Sequence, residues 1–356
     1  MDKTILELKD FNIVIKVFGI GGAGTNAVSR MYQDNIEGVE FYVCNTDAQH
    51  LSASPIKNKI LLGASTTKGQ GAGADPEKGK KAAIESEEEI KVALKGADMV
   101  FIAAGMGGGT GTGAGPVFAK LAKEIDALVV SVVTTPFRFE GPSRKASAII
   151  GLDQLKEYTD TTIVISNDTI LALLPSLKMQ EGFQEADNIL RQGVQTITDL
   201  ILNPSIVNLD FADIRKVMSD KGTALFGVGK GEGENKAEIA ANEAIKSPLL
   251  GINLNGTKNA IVNICTGNDC TIYETDRATE IVTNAFGEQV DIMFGYTFNE
   301  DLSNAMIVTI VATGFDLDQT REAKNAINTN KPINPKPEKV VTDPLPTTPN
   351  FFNNRK

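Results

Sequence analysis

The sequence predicts an α/β protein: a parallel, doubly wound sheet, then one long helix, then a smaller α/β unit and a flexible tail. Three observations carry that prediction. Short apolar, β-branched runs alternate with helical patterns as far as Ser166, and such alternation argues parallel strands joined by helical crossovers. A single amphipathic pattern then fills 179–202. Beyond it, strand and helix patterns resume from 222 to 315, before the composition changes.

The strand candidates of the first part are 13–18, 41–44, 60–62, 99–103, 128–133 and 163–165. They are almost continuously apolar, as strands are when helices cover both faces. Ligands of open α/β sheets sit beyond the carboxyl ends of the strands, so chemistry is expected there. In the long pattern Phe183, Ala186, Leu190, Val194, Ile197 and Ile201 recur at steps of three and four, the spacing of one helix face. It stops at Asn203-Pro204. At 1.5 Å per residue the helix is roughly 36 Å long, enough for a strut across a domain. The second unit has strand candidates at 224–228, 260–265, 292–296 and 306–312, and helical patterns at 237–246 and 276–285.

From 316 to 356 there is no glycine, six of the fourteen prolines occur, and seven Lys/Arg stand against five Asp/Glu. Apart from a short helical pattern near 321–326, that is a linker's composition. It ends in Phe351-Phe352 beside Arg355 and Lys356, which reads either as a docking peptide or as a terminus without function. The expected divisions are therefore 1–178, a central helix 179–203, an acidic loop with its following helix 204–221, a second domain 222–315, and the tail 316–356.

A chain of 356 residues suits two domains and a tail. Its 42% hydrophobic and 22% charged residues are enough to build a core unaided. The net charge of −10 has the wrong sign for a surface that grips phosphate backbones, which argues against nucleic acid. No apolar run approaches the roughly eighteen residues of a membrane span, and Met1-Asp2-Lys3-Thr4 leads into no signal-peptide core, so a cytoplasmic protein without membrane insertion is expected. Cys44, Cys265 and Cys270 have no CxxC spacing and read as reduced packing residues. His50 is the only histidine, which removes serine-hydrolase triads and two-histidine zinc sites from consideration.

Three glycine loops remain to be explained. The first strand runs into Gly19-Ile20-Gly21-Gly22-Ala23-Gly24, after which Thr25-Asn26-Ala27-Val28 opens a helix. A GxGxxG in that context lets backbone N–H groups meet a phosphate. With Asp47 ending the next strand, it supports a nicotinamide dinucleotide site when taken alone. The fourth strand ends in Gly105-Met106-Gly107-Gly108-Gly109-Thr110-Gly111-Thr112-Gly113, and a third loop is Gly69-Gln70-Gly71-Ala72-Gly73. A dinucleotide presents one pyrophosphate and needs only the first loop. Three loops at one sheet edge fit a triphosphate better, and the absence of GxxxxGK[ST] excludes the P-loop enzymes.

The fifth strand leads to Phe139-Glu140-Gly141-Pro142-Ser143-Arg144 and the sixth to Asn167-Asp168. Glu suits ribose hydroxyls, Arg a phosphate, and Asn with Asp a purine edge; each is also a common surface or capping residue. In Asn208-Leu209-Asp210-Phe211-Ala212-Asp213 the two carboxylates share a helix face. They read either as an N-cap with its third residue or as a pair that orients a water or Mg²⁺.

Gly107-Gly108-Gly109-Thr110-Gly111-Thr112-Gly113 resembles the signature loop of the tubulin superfamily. With the first glycine loop, Phe139-Glu140-Gly141-x-x-Arg144, Asn167-Asp168 and 208–213 in the same order, the chain resembles the FtsZ family of bacterial cell-division GTPases over about residues 10–315. The resemblance implies a parallel Rossmann-like GTP-binding domain, a central helix and a smaller α/β domain. It also implies head-to-tail protofilaments that form a division ring at mid-cell. Gly21, Gly22, Ala23, Gly24, Thr25 and Asn26 are implied to hold phosphates with Gly105, Gly108, Gly109, Thr110 and Gly111, while Gly71, Ala72 and Gly73 lie near the γ-phosphate. Glu140 and Arg144 are implied to meet ribose and phosphate, and Asn26, Asn167 and Asp187 to read guanine, with Phe183 stacking on it. Asn208, Asp210 and Asp213 are implied to enter the next subunit's pocket and position the attacking water, which makes hydrolysis of GTP to GDP depend on assembly. The resemblance further implies Mg²⁺ carried on the triphosphate and membrane-attached division adaptors that take the tail peptide around Phe351 and Phe352. Asp75 stands where the family has Asn, Thr169 and Lys236 where it has Arg, and Ala23 and Thr25 soften the first loop. The alternatives are a nicotinamide oxidoreductase and a filament protein that binds GTP but hydrolyses it poorly.

Overall fold

The structure, a computed structural model, describes residues 13–314 apart from 35, 37, 175, 203–209, 248–249, 251–256, 288 and 300–301. Six parallel strands form its first part: β1 (Ile15–Ile20), β2 (Val39–Asn45), β3 (Asn58–Leu61), β4 (Met99–Gly105), β5 (Leu128–Thr135) and β6 (Thr161–Ser166). Between and after them run α1 (Gly21–Gln33), α2 (Ala48–Ala53), α3 (Ala64–Thr67), α4 (Pro76–Glu85), α5 (Glu87–Leu94), α6 (Thr110–Glu124), α7 (Pro142–Lys156) and α8 (Asn167–Leu173). The long helix is α9 (Met179–Leu202), followed by α10 (Phe211–Met218). Then come β7 (Gly222–Glu232), α11 (Lys236–Ile245), β8 (Asn259–Thr266), α12 (Ile272–Phe286), β9 (Asp291–Phe298) and β10 (Ala305–Thr313).

Each of the ten sequence-predicted strands is present. The strand order is β3-β2-β1-β4-β5-β6-β7-β10-β8-β9. β7 joins the two parts: its first residues pair in parallel with β6 over Thr161 to Ile163, and the rest pairs antiparallel with β10. The chain leaves β1 toward β2 and β3 and returns to β4 on β1's other side. That reversal between β1 and β4 is the topological switch point, where ligands of such sheets bind.

Strand parity decides which helix covers which face. Ile15 and Val17 of β1 enter one core with Val28 and Met31 of α1, Leu190, Val194 and Ile197 of α9, and Ile214 and Val217 of α10. Phe18 and Ile20 enter the opposite core with Ala82 of α4, Ile90 of α5, Phe118 of α6 and Leu152 of α7. Lys16 shares their face and is 6% exposed; its ammonium donates to the carbonyls of Ala93 and Lys95, each at 2.9 Å, and pairs with Glu40. The core that the strut face of α9 enters also holds Phe226 of β7, Ile261 of β8 and Val311 of β10, and α9 itself contacts β5, β6 and β9. One apolar stripe therefore binds both parts. A separate core under α11 and α12 holds Ala240, Val262, Val282 and Ile310.

Two helix starts differ from the sequence reading: α12 begins at Ile272, four residues before the expected 276, behind a capping box of Thr271 and Glu274, and α1 also starts early. α1 begins at Gly21, four residues before Thr25. It begins that early because its first turn lies directly on β4: a Cβ on Gly24 would stand 2.2 Å from the carbonyl oxygen of Ala103. Only glycine permits that approach. Among the described residues no helix is long and apolar enough to cross a membrane.

Candidate nucleotide site

A cavity of about 410 Å³ opens at the carboxyl ends of β1 and β4, the switch point itself. Its walls include Gly22, Ala23 and Asn26 of α1, Gly105, Gly108, Gly109, Thr110 and Gly111 of the second loop, and Glu140, Arg144, Asn167, Phe183 and Asp187. Gly21, Gly24, Thr25, Gly71, Ala72 and Gly73 are not on that wall. Gly21 backs onto the main chain of Gly111, and Ala72 backs onto Gly109, where an added Cβ would stand 2.7 Å from the Ala72 methyl. The second glycine loop therefore touches both of the others, and the third supports it.

Two helices aim their N-termini into this cavity. Neither α1 nor α6 has a side-chain N-cap bond or an acidic residue in its first turn. Both therefore have first-turn N–H donors and a positive dipole end with no capping side chain or acid among the described residues. A phosphate chain supplies what they lack. Around them polar groups are fixed: the Thr46 and Thr110 hydroxyls are 2.6 Å apart and buried, and Thr112 Oγ1 accepts from the Gly107 amide at 2.8 Å. The Thr46 carbonyl accepts from the Gly71 amide at 3.0 Å, which ties the third loop to the others.

The far end of the cavity is built to meet a ring. Asn167 is 5% exposed and its Oδ1 has no partner. Burial pushes the Asp187 carboxyl up to about 7, against the partial pull of Arg30, whose Nε stands 3.8 Å from Oδ2. Phe183 is 38% exposed and meets Phe137 and Phe139 edge to face, with centroids at 5.2 and 6.3 Å. It also lines the cavity. Glu140 Oε1 accepts from the Phe137 amide at 2.9 Å and its other oxygen from Arg144, so the pair is preset at the rim. Thr25 Oγ1 is also buried without a partner, directly behind the first loop.

The acidic pair lies elsewhere. Asp210 caps α10, its Oδ1 accepting from the Asp213 amide at 2.8 Å. Arg215 of the same helix bonds Asp126, which precedes β5, whereas Thr134 at the end of β5 is on the cavity wall. The stretch of β5 between Leu128 and Thr134 alone spans roughly 20 Å. Asp210 and Asp213 therefore sit at the opposite edge of the sheet from their own chain's cavity. Asn208 lies outside the described residues, as do Phe351 and Phe352.

Sequence reading missed five wall residues: His50, Met106, Thr134, Pro136 and Ala186. Met106 and Ala186 neighbour residues that were named, but His50 reaches the wall from α2, a helix of six residues with no periodic signal. Asp47, the residue that favoured a nicotinamide, instead N-caps α2, accepting from the amides of Gln49 and His50 at 2.9 and 3.1 Å. Of the positions that depart from the resembled pattern, Asp75 N-caps α4 and Thr169 lies in α8. Lys236 is buried at α11 between Asp269 and Glu274, each at 3.1 Å. No group of three or more His, Cys, Asp or Glu among the described residues forms a metal cluster.

A doubly wound sheet whose switch point joins two bare helix N-termini to a buried, acceptor-rich recess defines a purine-nucleotide-binding protein. A sequence model of the GTPase domain of the Tubulin/FtsZ family matches residues 14–175, and one of the FtsZ family C-terminal domain matches 222–316. Among solved structures, an empty FtsZ dimer from M. jannaschii is 40% identical, with a TM-score of 0.83 over 86% of this chain and 90% of that one. A single-substitution mutant of M. jannaschii FtsZ is 39% identical, with a TM-score of 0.84 over 88% and 94%. CetZ2 from Haloferax volcanii, a protofilament with GTPγS bound, shares the fold at 23% identity and a TM-score of 0.72 over 89% and 100%. The chain belongs to the FtsZ family of the tubulin superfamily. It is a GTPase of the cytoskeletal Tubulin/FtsZ type that binds GTP and GDP.

Proposed function

We propose that this chain hydrolyses GTP at the junction between two of its copies stacked head to tail, and that the resulting protofilaments form a cell-division ring in the cytoplasm at mid-cell. The observation that carries this reading is the separation across the sheet. The cavity's own carboxylates are Glu140, tied to Arg144 and the Phe137 amide, and the buried Asp187, while Asp210 and Asp213 stand at the opposite edge. Stacking one copy's lower edge on the next copy's upper edge unites them.

In the assembled site the N–H groups opening α1 and α6 hold the phosphates, with Gly71, Ala72 and Gly73 supporting the loop beneath the terminal one. Arg144 adds a counter-charge. Asn208, Asp210 and Asp213 of the neighbouring copy orient a water for attack on the γ-phosphorus. The bond to the bridging oxygen breaks, and GDP and inorganic phosphate leave. Such phosphoryl transfer asks mainly for positioning and charge stabilisation, which this arrangement supplies. Mg²⁺ would be carried on the triphosphate and would neutralise its charge, since no group of three or more His, Cys, Asp or Glu among the described residues forms a metal site of its own. Guanine is favoured over adenine because its N1–H and 2-amino group give donors to Asn167 Oδ1, which otherwise stays buried without a partner, and to the Asp187 carboxylate, whose one ionic partner among the described residues is Arg30 at 3.8 Å. Phe183 stacks on the ring. The tail around Phe351 and Phe352 takes a membrane-attached adaptor.

The test is GTP turnover per chain against protein concentration, with light scattering recorded in parallel. Turnover that rises steeply where scattering begins is expected. A rate per chain independent of concentration down to monomers would place the whole reaction within one copy and reject the shared site.

A further inference from the structure

We propose that His50 is a positioning and specificity residue of the nucleotide site, holding the carboxamide oxygen of Asn26 so that the amide nitrogen of Asn26 is the group offered to the nucleotide. The proposal rests on the reading of the cavity as a guanine-nucleotide site. Its geometric basis is a single bond on the cavity wall: His50 Nε2 lies 3.1 Å from Asn26 Oδ1, and both residues line the cavity. An oxygen acceptor requires the imidazole to carry its proton on Nε2. That fixes which face of the carboxamide turns inward.

The histidine is set on a firm base. Its own amide donates to Asp47 Oδ1 at 3.1 Å, the amide of Ala48 donates to Gly69 of the third loop at 3.0 Å, and Leu51 of the same helix is buried in the core. The imidazole closes the wall beside the first loop, its Cε1 standing 3.8 Å from where a Cβ on Gly22 would lie. Asn26 by contrast is exposed on the first helix and has no other tether among the described contacts, so without His50 its carboxamide would turn over between donor and acceptor presentations. Held as it is, it adds a donor to a recess whose other groups, Asn167 Oδ1 and Asp187, are acceptors. A purine that carries both donors and ring acceptors satisfies the set.

Because His50 is the only histidine, its imidazole nitrogens give one unambiguous pair of ¹⁵N resonances in the full chain. In nucleotide-free protein the spectrum should show the Nε2–H tautomer, and Asn26→Ala should abolish that preference. For GDP binding to dilute protein, His50→Ala should weaken affinity by about three- to tenfold, and Asn26→Ala by at least as much. The double variant should match Asn26→Ala, because His50 acts through Asn26. His50→Gln, which keeps an N–H donor, should recover part of the loss, and in turnover His50→Ala should raise KM while leaving kcat near its starting value. An Nδ1–H tautomer, or losses that simply multiply in the double variant, would overturn the proposal. Wild-type protein that bound no guanine nucleotide would instead defeat the site reading beneath it, while the tautomer measurement would still decide the His50–Asn26 bond.

Discussion

Arg215 donates to the carboxylate of Asp126 at 3.0 Å and to its carbonyl at 3.1 Å, which pins the helix of the acidic pair to the turn entering β5. Thr134, at the other end of that strand, is on the nucleotide wall. One strand thus measures the distance between the two halves of the proposed catalytic site.

From that separation, Asp213→Ala should leave GTP affinity of the dilute protein nearly unchanged while turnover falls by at least tenfold. Asp187→Ala should lose affinity first. Mixing the two variants should restore part of the turnover, since some junctions then combine an intact cavity with an intact acidic helix. Equal loss of GTP affinity in the two single variants would contradict the shared site.

The Asp187 carboxyl, raised to about 7 by burial, gives guanine binding a pH dependence. Binding needs the carboxylate, so affinity should be full above pH 7 and fall as pH drops through it, by about tenfold between pH 8 and pH 6. Asp187→Asn should flatten that part of the slope and leave the part due to the phosphates. For the empty protein the sign reverses: the folded state holds this proton more tightly than the unfolded chain, so stability contributed by protonation is lost as pH rises toward 7. Calorimetric titration with GDP at several pH values measures the binding slope, and a slope equal in wild type and variant would refute it.

Gly109→Ala brings a methyl within 2.7 Å of Ala72 and 2.9 Å of the Asp75 amide nitrogen. Overpacking of this kind costs about 1 to 3 kcal/mol. Because the strain falls on the joint between the second and third loops, GTP affinity should drop by more than stability does. Thermal melting beside nucleotide binding separates the two effects.

Truncation after Phe315 should leave GTP hydrolysis and most polymer formation in place and abolish binding of a membrane-attached adaptor. With the linker reading of the tail, its end reaches about 30 to 35 Å on average, so the adaptor must sit close to the filament. Pull-down of purified adaptor by full-length and truncated chains, with GTP turnover as the control, decides it.

How much was legible in the sequence follows from how local each signal is. The ten strands were readable because each is a compact apolar run bounded by polar or glycine residues, and α9 because its stripe repeats over 24 residues. The start of α1 was not, since a glycine run has no helical propensity and only the contact of Gly24 with Ala103 holds it there. His50 was not, since nothing within 26–50 marks two residues on different helices as hydrogen-bonded.

The sequence by itself determined the fold class, the glycine loops and the order of the polar motifs, because each is written in consecutive residues whose spacing limits the backbone. Tertiary structure alone decided which of those residues share a wall. Pairing β1 with both β2 and β4 put the first and second loops side by side, and the strand order placed Asp187 and Asn167 in one recess. The same order carried Asp210 and Asp213 to the far edge of the sheet. The physical reason is that parallel pairing fixes strand direction. Every loop after a strand falls at one edge, every loop before a strand falls at the other, and no local signal states which edge a distant helix will reach.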